Sequence, residues 1–355
     1  MSSPRKARLL RATLDVPGPV EPTSDNFSVW ASVAVIERVI PQLYEIVSSD
    51  PSLRGSPAAQ RAEQMQLDTA ALDVRLERSL LDVADVLAAA DVPMAVLKGA
   101  ATAHLDYDDP AHRQFGDVDL LVDPCDFGRA RMAIEEAGWR QTYALPRHHE
   151  RFTHAVTFKT DGIAELDLHQ RIAHRALGLL VPTPELMEHR VAYRLADREL
   201  WALGDLDRLI HAALHAATSR GAYRRLSSVA DVLALSHRLN RCAHEVLDRA
   251  DRWSVRPLVE AAILGAHAEA MLPMPEEWER AAAEPTRRRN RLVDRAYLGQ
   301  QRRPATEELA YLRHISRWRD RMLYLYGHLR MDSGPGSGGL APRLGYLRSR
   351  LRQRT

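Results

Sequence analysis

Two aspartates one residue apart in an otherwise apolar run constrain this chain more than any other feature. They are Asp117 and Asp119 of GDVDLLV, set among Val118, Leu120, Leu121 and Val122. A strand turns residues i and i+2 to one face, so the two carboxylates project side by side. A buried strand carrying both is costly unless a cation compensates them. A second acidic strand follows in AELDLHQ, where Glu165 and Asp167 share a face. Either can supply a third carboxylate. Carboxylate oxygens suit Mg²⁺ or Mn²⁺, and Mg²⁺ keeps waters and bridges to phosphates more readily than it enters an all-protein cage. Upstream, PMAVLKGAA reads as an apolar strand that breaks at Lys98-Gly99.

A strand, a glycine turn, a helix and then a DxD strand is the layout expected of a metal-dependent nucleotidyltransferase. The ordered set LKGAATAHLDY, Arg113, DVDLLV and ELDLHQRI resembles the uncharacterised nucleotidyltransferases of the DNA polymerase β-like superfamily. The resemblance is close over about residues 90–175. It continues more loosely through LIHAALHAA and LSSVADVLAL to about residue 270. It implies that a nucleoside triphosphate such as ATP donates a nucleoside monophosphate to an acceptor hydroxyl. Asp117, Asp119 and Asp167 would act as catalytic and metal-binding residues, with Asp167 favoured over Glu165 because it stands two residues before His169. Lys98, Gly99, Arg113 and His169 would bind nucleotide. The superfamily's usual Gly-Ser turn is replaced here by Lys98-Gly99-Ala100, which removes a phosphate-binding hydroxyl and leaves the Lys98 charge in its place. A nucleotide-binding regulator without turnover, or a phosphotransferase, are the alternative activities.

Of the 49 basic residues only Lys6, Lys98 and Lys159 are lysines, and two of the three lie within the region of resemblance. The net charge of +2 argues for no global nucleic-acid field, although the segment PRLGYLRSRLRQRT is rich in arginine and lacks acids. Nucleic acid therefore stays a possible partner without support from net charge. Two cysteines are too few for a disulfide framework, and no stretch reaches the ~20 apolar residues of a membrane span. With no apolar leader at the N-terminus, a cytoplasmic location is expected.

At 355 residues the chain should pack as more than one unit. The expected class is α+β: a small mixed-sheet core with N-terminal helices and an all-α C-terminal domain. The boundaries read as a mobile stretch 1–24, a helical region 25–91, the catalytic core 92–183, an all-α domain 184–330 and a flexible basic tail 331–355. Strands are expected at 92–98, 118–122, 139–145, 152–160 and 163–169. The histidines His211 and His215, at i and i+4 on one helix, read as structural, and Asp231 reads as a pairing or capping acid. His215, Arg220, Tyr223 and Arg224, around the SRGAYRR turn, are the expected acceptor contacts.

Overall fold

The computed structural model describes residues 3–143, 150–160, 162, 164–219, 225–298 and 304–331. The turn at 220–224, the residue Asp161 and the tail beyond 331 lie outside these described residues.

The fold is α+β. A seven-stranded mixed sheet runs in the order β3-β4-β5-β2-β1-β7-β6, formed by Met94–Val96 (β1), Val118–Val122 (β2), Arg140–Gln141 (β3), Ala155–Lys159 (β4), Glu165–His169 (β5), Val191–Leu195 (β6) and Arg198–Ala202 (β7). β2 lies between antiparallel β1 and parallel β5, so the acidic strand is central and all five of its residues are buried. Strand alternation assigns its two faces to different cores. Met94, Val96, Leu120 and Val122 join one apolar cluster. Ala95, Leu97 and Leu121 point the other way, into the helical cluster.

One helix serves both clusters. Ser56 caps it by accepting from the Ala59 N–H at 3.2 Å, and Pro57 occupies its first turn. From there Pro57–Ala89 continues for 33 residues, about 50 Å at 1.5 Å per residue. Its first turns bury Ala58, Ala62 and Met65 among the N-terminal helices. Its last turns bury Leu76, Leu80, Val83 and Leu87 beneath the sheet. On the opposite face lies the helix Asp205–Thr218, packed against Leu226–Arg238 and Arg256–Glu269.

Two segments differ from the sequence expectation. Residues Pro4–Ala12, in the stretch expected to be mobile, form a helix capped by Ser3, and Leu9 and Leu10 are fully buried. That helix supplies only a three-residue apolar stripe, too short to register as a period. The segment 191–202, assigned to an all-α domain, forms the β6–β7 hairpin, whose β7 adds parallel to β1. Its alternation is visible in retrospect, since Tyr193, Leu195, Leu200 and Ala202 are buried between exposed neighbours. The helical region therefore begins after residue 202 and not at 184.

Buried ion pairs join the sheet layer to the helices. Arg208 donates through Nε and Nη2 to Asp106 at 2.8 Å each, and both side chains are almost wholly buried. Removing Asp106 leaves the buried Arg208 guanidinium only the half-exposed Asp205, 2.9 Å from Nη2, as an ionic partner among the described residues. Asp106→Ala is expected to lower unfolding free energy by about 3–5 kcal/mol, read from the urea midpoint at unchanged m-value.

Candidate active site

β2 and β5 are parallel neighbours in a register that sets Asp119 directly opposite Asp167. Asp119 is 2% exposed, deep for a carboxylate. Its Oδ1 lies 3.0 Å from His169 Nε2, and its Oδ2 lies 2.9 Å from Lys98 Nζ. Lys98 and Asp119 thus form a close ion pair. Lys98 Nζ also stands 3.7 Å from Asp117 Oδ2. Burial opposes ionisation of both partners. The Lys98 charge and the His169 hydrogen bond outweigh it and hold Asp119 well below the usual carboxylate range. Burial would likewise lower Lys98, but the charges of Asp119 and Asp117 raise it.

Asp167 differs from Asp119 although they sit side by side. Burial, and then the neighbouring Asp119 charge, raise its pKa. The Thr157 hydroxyl, one strand over, donates to its Oδ1 at 2.6 Å. Glu165 instead pairs with Lys159 at 2.9 Å near the sheet surface. Asp119, Asp167 and His169 offer ligand atoms all within 4.8 Å of one another. Asp117 stands outside that group. It precedes the first residue of β2 and is tied to Lys98.

The turn that places Lys98 has a backbone requirement. Gly99 adopts φ 62°, ψ −122°, a conformation that L side chains rarely enter. The Phe115 ring and the Asp117 carbonyl lie 3.6 Å from where its Cβ would be. The Leu97 N–H donates to the Asp119 carbonyl at 3.0 Å, carrying the β1–β2 ladder up to the turn. Phe115 is fixed in turn by its N–H, which donates to buried Asp73 on the long helix at 3.1 Å.

Arg113, expected to bind nucleotide, is held by an acid. Its Nε and Nη2 donate to Asp231 at 3.1 and 2.7 Å, and its Nη1 donates to the Gln114 carbonyl at 3.2 Å. Tyr107 adds its hydroxyl to Asp231 at 3.1 Å. The planar fork expected to hold phosphate is thus bound to an acid on another helix. That pair still borders a polar cavity of about 220 Å³, together with Lys98, Asp117, His215, Arg38 and Arg225.

Apart from His169, the only histidine near the site expected from the sequence to make a contact there is His215, with the acceptor. Burial lowers His211 to about 3, helped by His215, and lowers His215 to about 4, helped by the Lys98 charge. Both are neutral at pH 7, and His215 Nδ1 lies 3.3 Å from Ser228 Oγ. His154 stacks edge-on to His169 with ring centroids 5.6 Å apart, and burial first, then His174, holds it far below the usual histidine range. The i, i+4 spacing identified the shared face of His211 and His215; nothing in the local sequence pointed that face at Lys98.

A DxD strand paired in register with a second acidic strand, behind a lysine-glycine turn, defines a nucleotidyltransferase-type enzyme. Residues 24–270 match the uncharacterised nucleotidyltransferase family, and the chain belongs to it. Comparison with curated proteins finds no match. No helix among the described residues is long and apolar enough to cross a membrane.

Asp73 generates a test of how the site is supported. Burial raises its pKa from 3.8 to about 7. Between those values the folded protein holds a proton that the unfolded chain releases, so this group's contribution to stability falls as pH rises from 4 to 7. Asp73→Asn keeps an acceptor for the Phe115 N–H and cannot ionise. Thermal melts across that range are expected to lose less stability with rising pH in the variant than in the wild type.

Proposed function

We propose that this enzyme transfers a nucleoside monophosphate from a nucleoside triphosphate to an acceptor hydroxyl, with Asp117, Asp119 and Asp167 binding Mg²⁺ or Mn²⁺. The observation that carries the reading is the register match of Asp119 with Asp167 beside the Lys98 ammonium. The donor set fits a divalent cation: Asp119, Asp167 and His169 offer ligand atoms within 4.8 Å of one another, Asp117 and Asp119 flank one ammonium, and His169 Nδ1 is buried without a hydrogen bond. When bound, the ion supplies charge neutralisation and Lewis acidity at the phosphates.

The side chains have separable roles in this scheme. Lys98, a compact point charge on a flexible stem, exchanges part of its contact with Asp117 and Asp119 for the triphosphate. Gly99 lets that backbone come close to the nucleotide. His169 orients Asp119 through the Oδ1 contact. Asp167, whose proton affinity is raised while Thr157 holds Oδ1, accepts the acceptor hydroxyl's proton at Oδ2. The acceptor oxygen then bonds to the α-phosphorus, the bond from that phosphorus to the β-bridging oxygen breaks, and pyrophosphate leaves. Arg113 serves through Asp231 as a positioning residue for the cavity wall.

The closeness of Lys98 to both acids favours a second reading, in which the ammonium stands permanently in the cation's place and nucleotide is bound without turnover. Product analysis separates the two. The proposed activity yields pyrophosphate and a nucleotidylated acceptor from radiolabelled triphosphate, requires added Mg²⁺ or Mn²⁺, and falls to background in Asp119→Asn. Undiminished activity in excess chelator would refute the metal assignment. His169→Ala is expected to cost about 10- to 100-fold in activity or metal affinity, as for other groups that orient a ligand. Calorimetric titration tests Lys98: Lys98→Ala should weaken triphosphate binding about 10- to 100-fold, the worth of a charged hydrogen bond, and nucleoside binding far less. Equal losses would assign Lys98 to packing.

A further inference from the structure

A second polar feature lies on the C-terminal helices and plays no part in the chemistry above. Six arginines, Arg287, Arg288, Arg289, Arg291, Arg295 and Arg313, line an open cleft of about 830 Å³. All six are exposed. Arg289 is paired with Asp294 at 2.9 Å, while the other five have no ion pair among the described residues. Like charges held this close repel one another, and an anion relieves that repulsion.

The cleft is held in shape by its backbone. Asp251, 3% exposed, accepts from the Arg287 and Arg288 N–H groups at 2.9 and 3.1 Å. On the preceding side Arg256 Nη2 donates to the carbonyls of Ala281 and Glu284 at 2.7 and 2.8 Å. Asn290 Oδ1 accepts from the Val293 N–H at 3.3 Å, and its Nδ2 lies 2.9 Å from His314 Nε2. A buried carboxylate thus holds the backbone N–H groups, while the arginine side chains stay exposed and Arg288 Nη1 donates to the Arg252 carbonyl at 3.3 Å.

An aromatic surface follows directly in the chain. Trp318 is 69% exposed, with the Arg319 guanidinium 5.9 Å from its ring centroid. Arg321 ties this segment back to the cleft, donating to the Ile315 carbonyl at 2.7 Å and the Arg313 carbonyl at 3.4 Å. Cations that can follow a phosphate backbone, and an exposed ring shortly after Arg313 in the chain on which a base can stack, are the two elements of single-strand recognition. A lone phosphate would engage only a fraction of these cations, and an acidic peptide gives the tryptophan no planar partner.

We propose that the 287–295 and Arg313 cleft, with Trp318, binds single-stranded nucleic acid. The proposal concerns binding alone and does not depend on turnover at Asp119. The helix Pro304–His314, which carries Arg313, packs on Arg175–Leu180, the first helix after the strand bearing Asp167. A strand held in the cleft is therefore anchored to the catalytic layer.

Fluorescence anisotropy of the full chain with labelled oligouridylate and oligodeoxythymidylate of about 12 nucleotides tests this, with oligoglutamate as the competing polyanion. Binding to the oligonucleotides is expected to weaken steeply between about 50 and about 200 mM salt. The combined variant Arg287→Glu, Arg291→Glu, Arg313→Glu should lose more than about tenfold in affinity, and its log–log salt slope should shrink by about 2, near 0.7 per phosphate contact. Trp318→Ala should weaken binding about tenfold with the slope unchanged. Asp119→Asn should bind as the wild type, which separates this result from any failure of the catalytic reading. Circular dichroism checks folding of the combined variant; should it unfold, Arg291→Gln alone should still reduce the slope by about 0.7. Wild-type affinity and slope in the arginine variants, or oligoglutamate binding as tightly as the oligonucleotides, overturns the proposal.

Discussion

The carboxylate of Asp119 is the constraint around which the catalytic layer is arranged. It is buried on the central strand, where an unpaired charge would cost several kcal/mol. Two groups hold it ionised: Lys98 from the turn after β1 and His169 from the end of β5. Each arrives because β1 and β5 flank β2 in fixed register, so sheet pairing and charge compensation depend on each other. A slip of one residue would turn Asp119 to the opposite face and send Leu120 into the site. Asp167 has no such compensation: burial first, and then the negative charge of Asp119 beside it, raise its proton affinity while that of its neighbour falls.

Around that layer the molecule uses buried ionic contacts where apolar packing alone could not define orientation. Arg113 with Asp231 joins the loop before β2 to the helix Leu226–Arg238. Arg208 with Asp106 joins the helix Asp205–Thr218 to the short helix after Lys98-Gly99. Both pairs are bidentate, a geometry that specifies angle as well as distance. Their net worth to stability is modest against hydrophobic replacement. Their effect is to bring His211, His215 and Asp231 to one side of Lys98, giving a cavity wall that belongs to a different layer from the acids.

Local sequence carried what depended on strand period and turn chemistry. The two-residue period of GDVDLLV and ELDLHQ conveyed which acids share a face, and Lys98-Gly99 marked the turn with its glycine-only backbone. What was hidden depended on distant partners. Arg113 read as a nucleotide-binding arginine with a free fork because the acid that pairs with it lies 118 residues away. Glu165 and Asp167 were equivalent by period, and only the neighbouring strands separate them: Lys159 lies opposite one, Thr157 and Asp119 opposite the other. The β6–β7 hairpin was masked by its setting among helices and by its polar outer face, although its inner face alternates cleanly. Membership of the nucleotidyltransferase family matches the ordering of motifs more than any one of them, since a lone DxD pair arises easily by chance.

Net charge was the least informative quantity, and the distribution of arginines explains why. Forty-nine basic and 47 acidic residues nearly cancel over the chain, yet they do not cancel locally. Asp106, Asp207, Asp231 and Asp251 are all buried. The first three take arginine partners, and Asp251 accepts backbone N–H groups, so these acids contribute little to the outer surface. Five guanidinium groups of the 287–313 cleft have no ion pair among the described residues. Screening confines each field to about 10 Å at 0.1 M salt, so what an approaching polyanion meets is the local arrangement and not the sum. Clustering of arginines at one place, rather than an excess of bases over the chain, is what makes this surface cationic.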